Sequence, residues 1–300
     1  MLKNNVHKAF FISGLTALIY GATYPIAKLI MPAYIKPLGL TLVRVMGATL
    51  LFWLLGLTFK NERIEIKDFV LLFLTGLFGA SLNMIFLFKG LTYTSAVNAA
   101  IIVLLAPLFV ALNSFFFLKE KIGIQKFTGI LIGLLGAIII ILKGFSFKTL
   151  DTSFIGNLLI LGSPFFYSFY LIIMKILIRK YHVFTITKWS LLFGFFIVLP
   201  FGYSEFNQVE WMQFSAPQIT SLLFIVVGTS FLVVLFTLYA LKYLKASTFS
   251  SFMYLQPLFT ISIVALIGND TINITQLMGM LLVTLGCYLV SNKNEKNDDN

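Results

Sequence analysis

Of 300 residues, 59% are hydrophobic and 11% charged, far from the soluble balance of roughly 45–50% apolar and about 25% charged, which excludes an ordinary water-soluble fold. The net charge of +11 would point to nucleic acid in a soluble protein, but the basic residues lie between apolar runs, so the expected partners are a lipid bilayer and a small molecule, with no nucleic acid. Cys287 is the single cysteine, and His7 and His182, the two histidines, sit at run edges. Neither a disulfide framework nor a cysteine or histidine metal site is available, and no cofactor is expected.

The apolar runs, in chain order, are 9–30, 36–58, 67–90, 94–117, 123–142, 156–178, 183–203, 217–240, 246–268 and 274–291. Each approaches the roughly 20 residues that cross a ~30 Å hydrocarbon core. The first follows Lys3 and Lys8 like a signal peptide, but it is too long and no small-residue cleavage site ends it, so it is kept as a span. The second run holds Arg44, about eight residues or ~12 Å inside its start at the helical rise. The third carries Gly76, Gly79, Ala80 and Ser81; the fourth Asn98, Pro107 and Asn113; the fifth Gly129 and Gly136. A polar junction, 143–155, with Gly144, Lys148 and Asp151, leads to the sixth run with Tyr167 and Tyr170. Gly228, Thr229 and Ser230 mark the eighth, and Tyr254, Gln256 and Pro257 the ninth. The Asn-rich tail 292–300 is expected to be disordered.

The stretch 87–137 overlays 237–287 without a gap, 150 residues on, with thirteen of 51 positions identical. Tyr93 meets Tyr243, Ala96 meets Ala246, and the group Leu105, Pro107, Leu108, Phe109 meets Leu255, Pro257, Leu258, Phe259, while Gly129 and Gly136 meet Gly279 and Gly286. Coincident Pro, Gly and Tyr at one offset indicate an internal repeat. With the N-terminus inside, sixteen Lys and Arg fall on the cytoplasmic side and five (Lys28, Lys36, Lys89, Lys143, Lys148) outside. That asymmetry places both termini in the cytoplasm. Five spans per copy force the second copy to enter the membrane in the opposite sense, and substrate sites in such folds lie at the repeat interface near the midplane. The expected domains are 1–142 and 156–291, separated by 143–155.

Pro107 and Pro257 each remove a backbone donor, freeing the carbonyls of Val103 and Met253. A packing kink satisfied by neighbours is one reading; recurrence in both copies favours a hinge or cavity-lining role. Asn98, Tyr254 and Gln256 need partners inside the bundle, either in a wet cavity or in interhelical hydrogen bonds. Two roles are open to Arg44: holding a carboxylate or phosphate bidentately, or anchoring structure at a helix end or the interface. Lys28, Lys89 and Lys175 read as snorkelling, with Lys28 also placed to give positive potential at an outer mouth. Tyr20, Tyr24, Tyr167 and Tyr170 can stack on a substrate or serve as core and interface. Gly76, Gly79, Gly228 and Ser230 mark close helix packing. All eleven acidic residues fall in loops, span edges or tails, which disfavours carboxylate-based proton coupling and buried-Glu recognition of organic cations. Neutral, zwitterionic or anionic metabolites suit such a cavity better.

The segment Tyr20-Gly21-Ala22-Thr23-Tyr24-Pro25-Ile26-Ala27-Lys28, Arg44, the pair Leu105-Ala106-Pro107-Leu108 and Leu255-Gln256-Pro257-Leu258, and the turn Leu118-Lys119-Glu120-Lys121 resemble EamA-type transporters of the drug/metabolite transporter superfamily. The second copy departs from the pattern, with Gly268-Asn269-Asp270 opposite Leu118-Lys119-Glu120 and Tyr167-Ser168 opposite Tyr20-Gly21. The resemblance implies an all-α polytopic membrane protein of ten transmembrane helices as two inverted five-helix repeats. It also implies alternating access for a small metabolite, and Thr23 joins the cavity candidates on its motif. The expected function is a secondary transporter or facilitator, exporting an amino acid or related compound across the cell membrane. A non-transporting receptor or scaffold is the alternative. An intramembrane enzyme lacks paired buried carboxylates, a His cluster, or a Ser with a His partner.

Overall fold

A computed structural model describes residues 2–58, 62–119, 122–142, 152–244, 246–267 and 273–291. These contain helices and no strand: α1 (Leu2–Ile30), α2 (Pro37–Gly56), α3 (Phe69–Thr75), α4 (Asn83–Leu91), α5 (Ala96–Val103), α6 (Ala106–Leu118), α7 (Ile124–Leu142), α8 (Thr152–Leu177), α9 (Val183–Asn207), α10 (Ala216–Leu223), α11 (Val233–Tyr243), α12 (Ala246–Met253), α13 (Gln256–Ile267) and α14 (Ile274–Ser291). Among the described residues, eight helical runs are long and apolar enough to cross a membrane: Asn5–Ile30, Pro37–Gly56, Ile66–Leu91, Ala96–Phe117, Ile124–Leu142, Thr152–Leu177, Val183–Asn207 and Ala216–Ala240. Gln256–Ile267 and Ile274–Val290 are apolar but shorter. Residues 143–151 of the junction, with Lys143 and Lys148, and the tail 292–300 lie outside the described residues, as do Glu120, Lys121 and 268–270.

Local chemistry sets the helix ends. Ser95 accepts from the Asn98 N–H at the start of α5, His182 Nδ1 accepts from Phe184 N in α9, and Asn273 and Gln276 exchange reciprocal bonds at the start of α14. Helix α2 opens with Pro37, and its next two N–H groups, Leu38 and Gly39, donate to the Glu205 carboxylate of α9 at 2.7 and 2.9 Å. This explains why α9 runs to Asn207, past the apolar limit at 203 read from the sequence: its last turn supplies an anion to the positive end of another helix. Likewise α8 starts at Thr152, so residues 152–155 are helical.

Two runs expected as plain α-helices contain a π-helical segment. Between α3 and α4, Gly76–Leu82 is a π-helical segment, and Phe224–Leu232 is another between α10 and α11. The wider turn brings carbonyls five residues back within reach of serine: Ser81 Oγ donates to Gly76 O at 2.9 Å and Ser230 Oγ to Ile225 O at 3.3 Å. The fourth run breaks at Leu104–Leu105 and resumes as α6 with Pro107 in its first turn.

The main core gathers Phe88, Leu91, Ile101, Ile102 and Leu105 from α4, α5 and the break, fully buried between α1, α7, α8 and α14. α7 and α14 approach to backbone contact: a Cβ added at Gly286 would stand 2.5 Å from Gly129 O and Gly133 N. Large apolar side chains such as Leu54, Phe116, Phe196 and Leu281 point outward and are more than half exposed, a surface that suits lipid rather than water.

Candidate functional site

Arg44 is 6% exposed. Its side chain turns inward from α2: Nε donates to Ser230 Oγ at 2.7 Å, Nη1 lies 3.1 Å from Met84 Sδ, and the guanidinium stands 5.5 Å from the Phe88 ring centroid. Ser230 can accept because its own proton is directed to Ile225 O, which the π turn exposes. Thus one irregular segment places the acceptor, and the other leads into α4, which carries Met84 and Phe88. Tyr20 and Tyr24, one turn apart on α1, are close enough to interact electrostatically with the guanidinium, and Tyr20 is likewise close to Tyr167 and Tyr170 of α8.

Those α8 rings stack on each other, with centroids 5.4 Å apart and planes at 28°. Tyr170 lies over Gly79, where an added Cβ would stand 2.5 Å from the ring. A side chain at Gly79 would therefore displace an aromatic of the group. Tyr20, Tyr167 and Tyr170 are only partly buried although they lie mid-helix.

The structure thus brings together Tyr20, Tyr24, Arg44, Tyr167, Tyr170 and Ser230. The remaining sequence candidates make other contacts, although the Gln256 backbone lies beside Tyr20: a Cβ added at Gly21 would stand 2.7 Å from Gln256 O. Thr23 is buried and donates to Ile19 O of its own helix at 2.9 Å. Gln256 Nε2 lies 3.2 Å from Met253 Sδ, and Tyr254 is partly buried at the second break, which falls at Tyr254–Leu255. Pro257 follows that break as Pro107 follows the first. A freed carbonyl at the first break has a visible partner: Leu104 O accepts from Cys287 Sγ at 2.9 Å. Gly76 touches α9, where an added Cβ would be 2.7 Å from Ser190 O. At Gly228 the closest contact, 3.3 Å, is Phe224 one turn back on its own helix.

Asn98 belongs to a different buried group. Its Nδ2 donates to Thr94 Oγ1 (3.1 Å) and Asn157 Oδ1 (3.3 Å), and its Oδ1 accepts from Gln276 Nε2 (3.0 Å). Thr94 Oγ1 donates to Asn157 Oδ1 at 2.6 Å, Asn157 Nδ2 donates to Ile140 O at 3.2 Å, and Lys28 Nζ donates to Thr94 O at 2.6 Å. Sequence reasoning missed Asn157 and Gln276 here. The Asn273-x-x-Gln276 spacing was the available signal for one of them.

The sequence pattern of the EamA-like transporter family matches residues 8–142 and 154–292. An uncharacterized transporter of Archaeoglobus fulgidus is 27% identical over 286 residues, covering 95% of this chain and 99% of that protein. The uncharacterized transporter YvbV of Bacillus subtilis is also 27% identical, over 93% of this chain and 90% of its own length. A crystal structure 17% identical in sequence superposes with a TM-score of 0.61 over 94% of this chain and 96% of that one, a likeness of fold.

Proposed function

The chain belongs to the EamA-like transporter family and is a multi-pass integral membrane transporter, not an enzyme; from that premise we propose that it moves a small metabolite outward by alternating access. In this reading ten helices cross the membrane as two inverted five-helix repeats, 1–142 and 156–291, with both termini cytoplasmic. The substrate sits among Tyr20, Tyr24, Arg44, Tyr167 and Tyr170.

One observation carries it: two kinds of backbone irregularity recur at the same offset. Shifted by 150, the π segment Gly76–Leu82 falls on 226–232, inside Phe224–Leu232, and the break at Leu104–Leu105 falls on Tyr254–Leu255. Straight helices bend poorly, whereas π turns and proline breaks concentrate a change of backbone angle in a few residues. Placing such joints at matching points of two copies suits rocking of one copy against the other about a site between them. The paired α7 and α14, locked at their glycines, supply a fixed seam.

Proteoliposomes loaded with candidate metabolites test the function. Saturable exchange of at least one compound is expected; a broad panel that never moves, with the protein folded, overturns it. Topology is tested by placing cysteine at Arg63 or Tyr93, both exposed, against a wild type whose only thiol is buried. A membrane-impermeant maleimide applied to intact cells should label position 93 and not position 63. The reverse pattern would overturn the assigned orientation.

A further inference from the structure

We infer that Arg44 binds the substrate's negative charge and that the substrate is a carboxylate carrying one net negative charge. This rests on the site assigned above and names the class of molecule it takes. Arg44 is one half of an incomplete ion pair. Arg44 is more than nine-tenths buried, and its partners in the protein are a serine hydroxyl, a thioether sulfur and the face of Phe88. The phenols of Tyr20 and Tyr24 lie within electrostatic range of it. No carboxylate among the described residues reaches it.

A buried guanidinium cannot escape its charge by losing a proton, and burying an unpaired ion costs several kcal/mol. Buried charges are therefore normally paired. The fold leaves this one incomplete while spending two precise contacts on its orientation. Of the five N–H donors of a guanidinium, Nε and Nη1 are engaged, and Nη2 has no protein partner among the described residues. A ligand oxygen at Nη2 completes the charge balance.

The count of charges narrows the class. Arg44 offers one positive charge. Lys28, the next cation along α1, is committed to Thr94 O at the Asn98 group. A dianionic phosphate monoester would leave one charge unbalanced, and the ammonium of a zwitterion would find no carboxylate, since the described acids (Glu62, Glu65, Asp68, Glu205 and Glu210) all lie at helix ends or between helices. One carboxylate on an otherwise uncharged body is what the site balances. The stacked rings of Tyr167 and Tyr170, held over Gly79, offer that body a flat apolar face.

The test pairs acids with their own amides, which keep the shape and remove the charge: lactate with lactamide, and 4-hydroxyphenylacetate with its amide. The purified wild-type protein is examined by ligand-induced thermal stabilisation in chloride-free buffer, with counterflow in proteoliposomes as the second readout. At least one acid should stabilise the protein and exchange, with its amide about tenfold to a hundredfold weaker, the span expected for losing a charged hydrogen bond. Arg44→Gln should abolish the difference between acid and amide, and Arg44→Lys should keep part of it. Equal response to acid and amide overturns the inference, as does tighter binding of phosphate esters or zwitterions, or full stabilisation by chloride alone. Because the acid–amide comparison is made on the wild type, a variant that fails to fold does not decide the result. If no acid acts while an uncharged or zwitterionic compound exchanges, this inference falls and the transport function stands; if nothing exchanges, both fall.

Discussion

Two buried polar groups stand in the same helical bundle and differ in one respect. Around Asn98, amides and hydroxyls from the ends of α5, α8 and α14 bond one another, and the group extends to a carbonyl of α7 and the ammonium of Lys28. It closes on itself. Around Arg44, a permanent charge is held by Ser230 and Met84 and meets no carboxylate among the described residues. A satisfied network strengthens a fold and fixes its register, whereas an unsatisfied ion weakens the fold and asks for a ligand. Burial and polarity look alike in the two groups; the completeness of pairing separates structure from function.

Mutation should therefore move stability in opposite directions at the two sites. Asn157→Leu, the largest expected effect, strips Thr94 Oγ1, Asn98 Nδ2 and Ile140 O of a partner and should cost about 3 kcal/mol, counting roughly 1–3 kcal/mol for each orphaned group. The midpoint of unfolding in detergent should fall accordingly, while the preference for acids over amides in any surviving protein stays intact. Arg44→Met should instead raise the ligand-free midpoint, by about 1–2 kcal/mol of stability, because an apolar side chain of similar length replaces an unpaired ion. A clear drop in stability would make Arg44 structural and erase the contrast.

Ser230→Ala probes orientation. With the Nε acceptor gone, the guanidinium is free to turn, and apparent affinity should weaken by about tenfold, the low end for one hydrogen bond to a charged group, with turnover at saturation less affected. Equal loss of affinity in Ser81→Ala, which bonds Gly76 O and Gly194 O and not Arg44, would show that the π segment rather than the arginine is being sensed. Cys287→Ala is the smallest: loss of a weak S–H donor to Leu104 O should cost under about 1 kcal/mol, measured by the same unfolding assay. Replacing Pro107 and Pro257 together with Ala should lower turnover more than affinity if the breaks are joints, and unchanged turnover would remove that role.

Much of the frame was legible in the chain. Apolar runs placed the helices because a lipid-facing helix must be apolar over its whole length, and the prolines coincident in the repeat predicted the two breaks because a ring without an N–H removes a helical hydrogen bond, although Pro25, Pro164 and Pro200 sit inside unbroken helices. The π segments were not legible: Gly76 to Leu82 reads as an ordinary apolar helix, and the extra residue per turn is stabilised by Ser81 reaching both Gly76 O and Gly194 O, the latter 113 residues away. Arg44 was visible as an anomaly, but its role depended on a serine 186 positions away. Asn98 resembled it in sequence and joined the satisfied group instead, since Asn157 and Gln276 are brought to it by other helices.

The sequence by itself determined the solvent, the helices and the duplication, because those follow from side-chain transfer energies and backbone constraints acting over a few residues. Which polar side chain is paired and which is left waiting was decided only by tertiary structure. Pairing depends on distances between residues far apart in the chain, and a hydrogen bond that exists at 2.7 Å is gone one helical turn away.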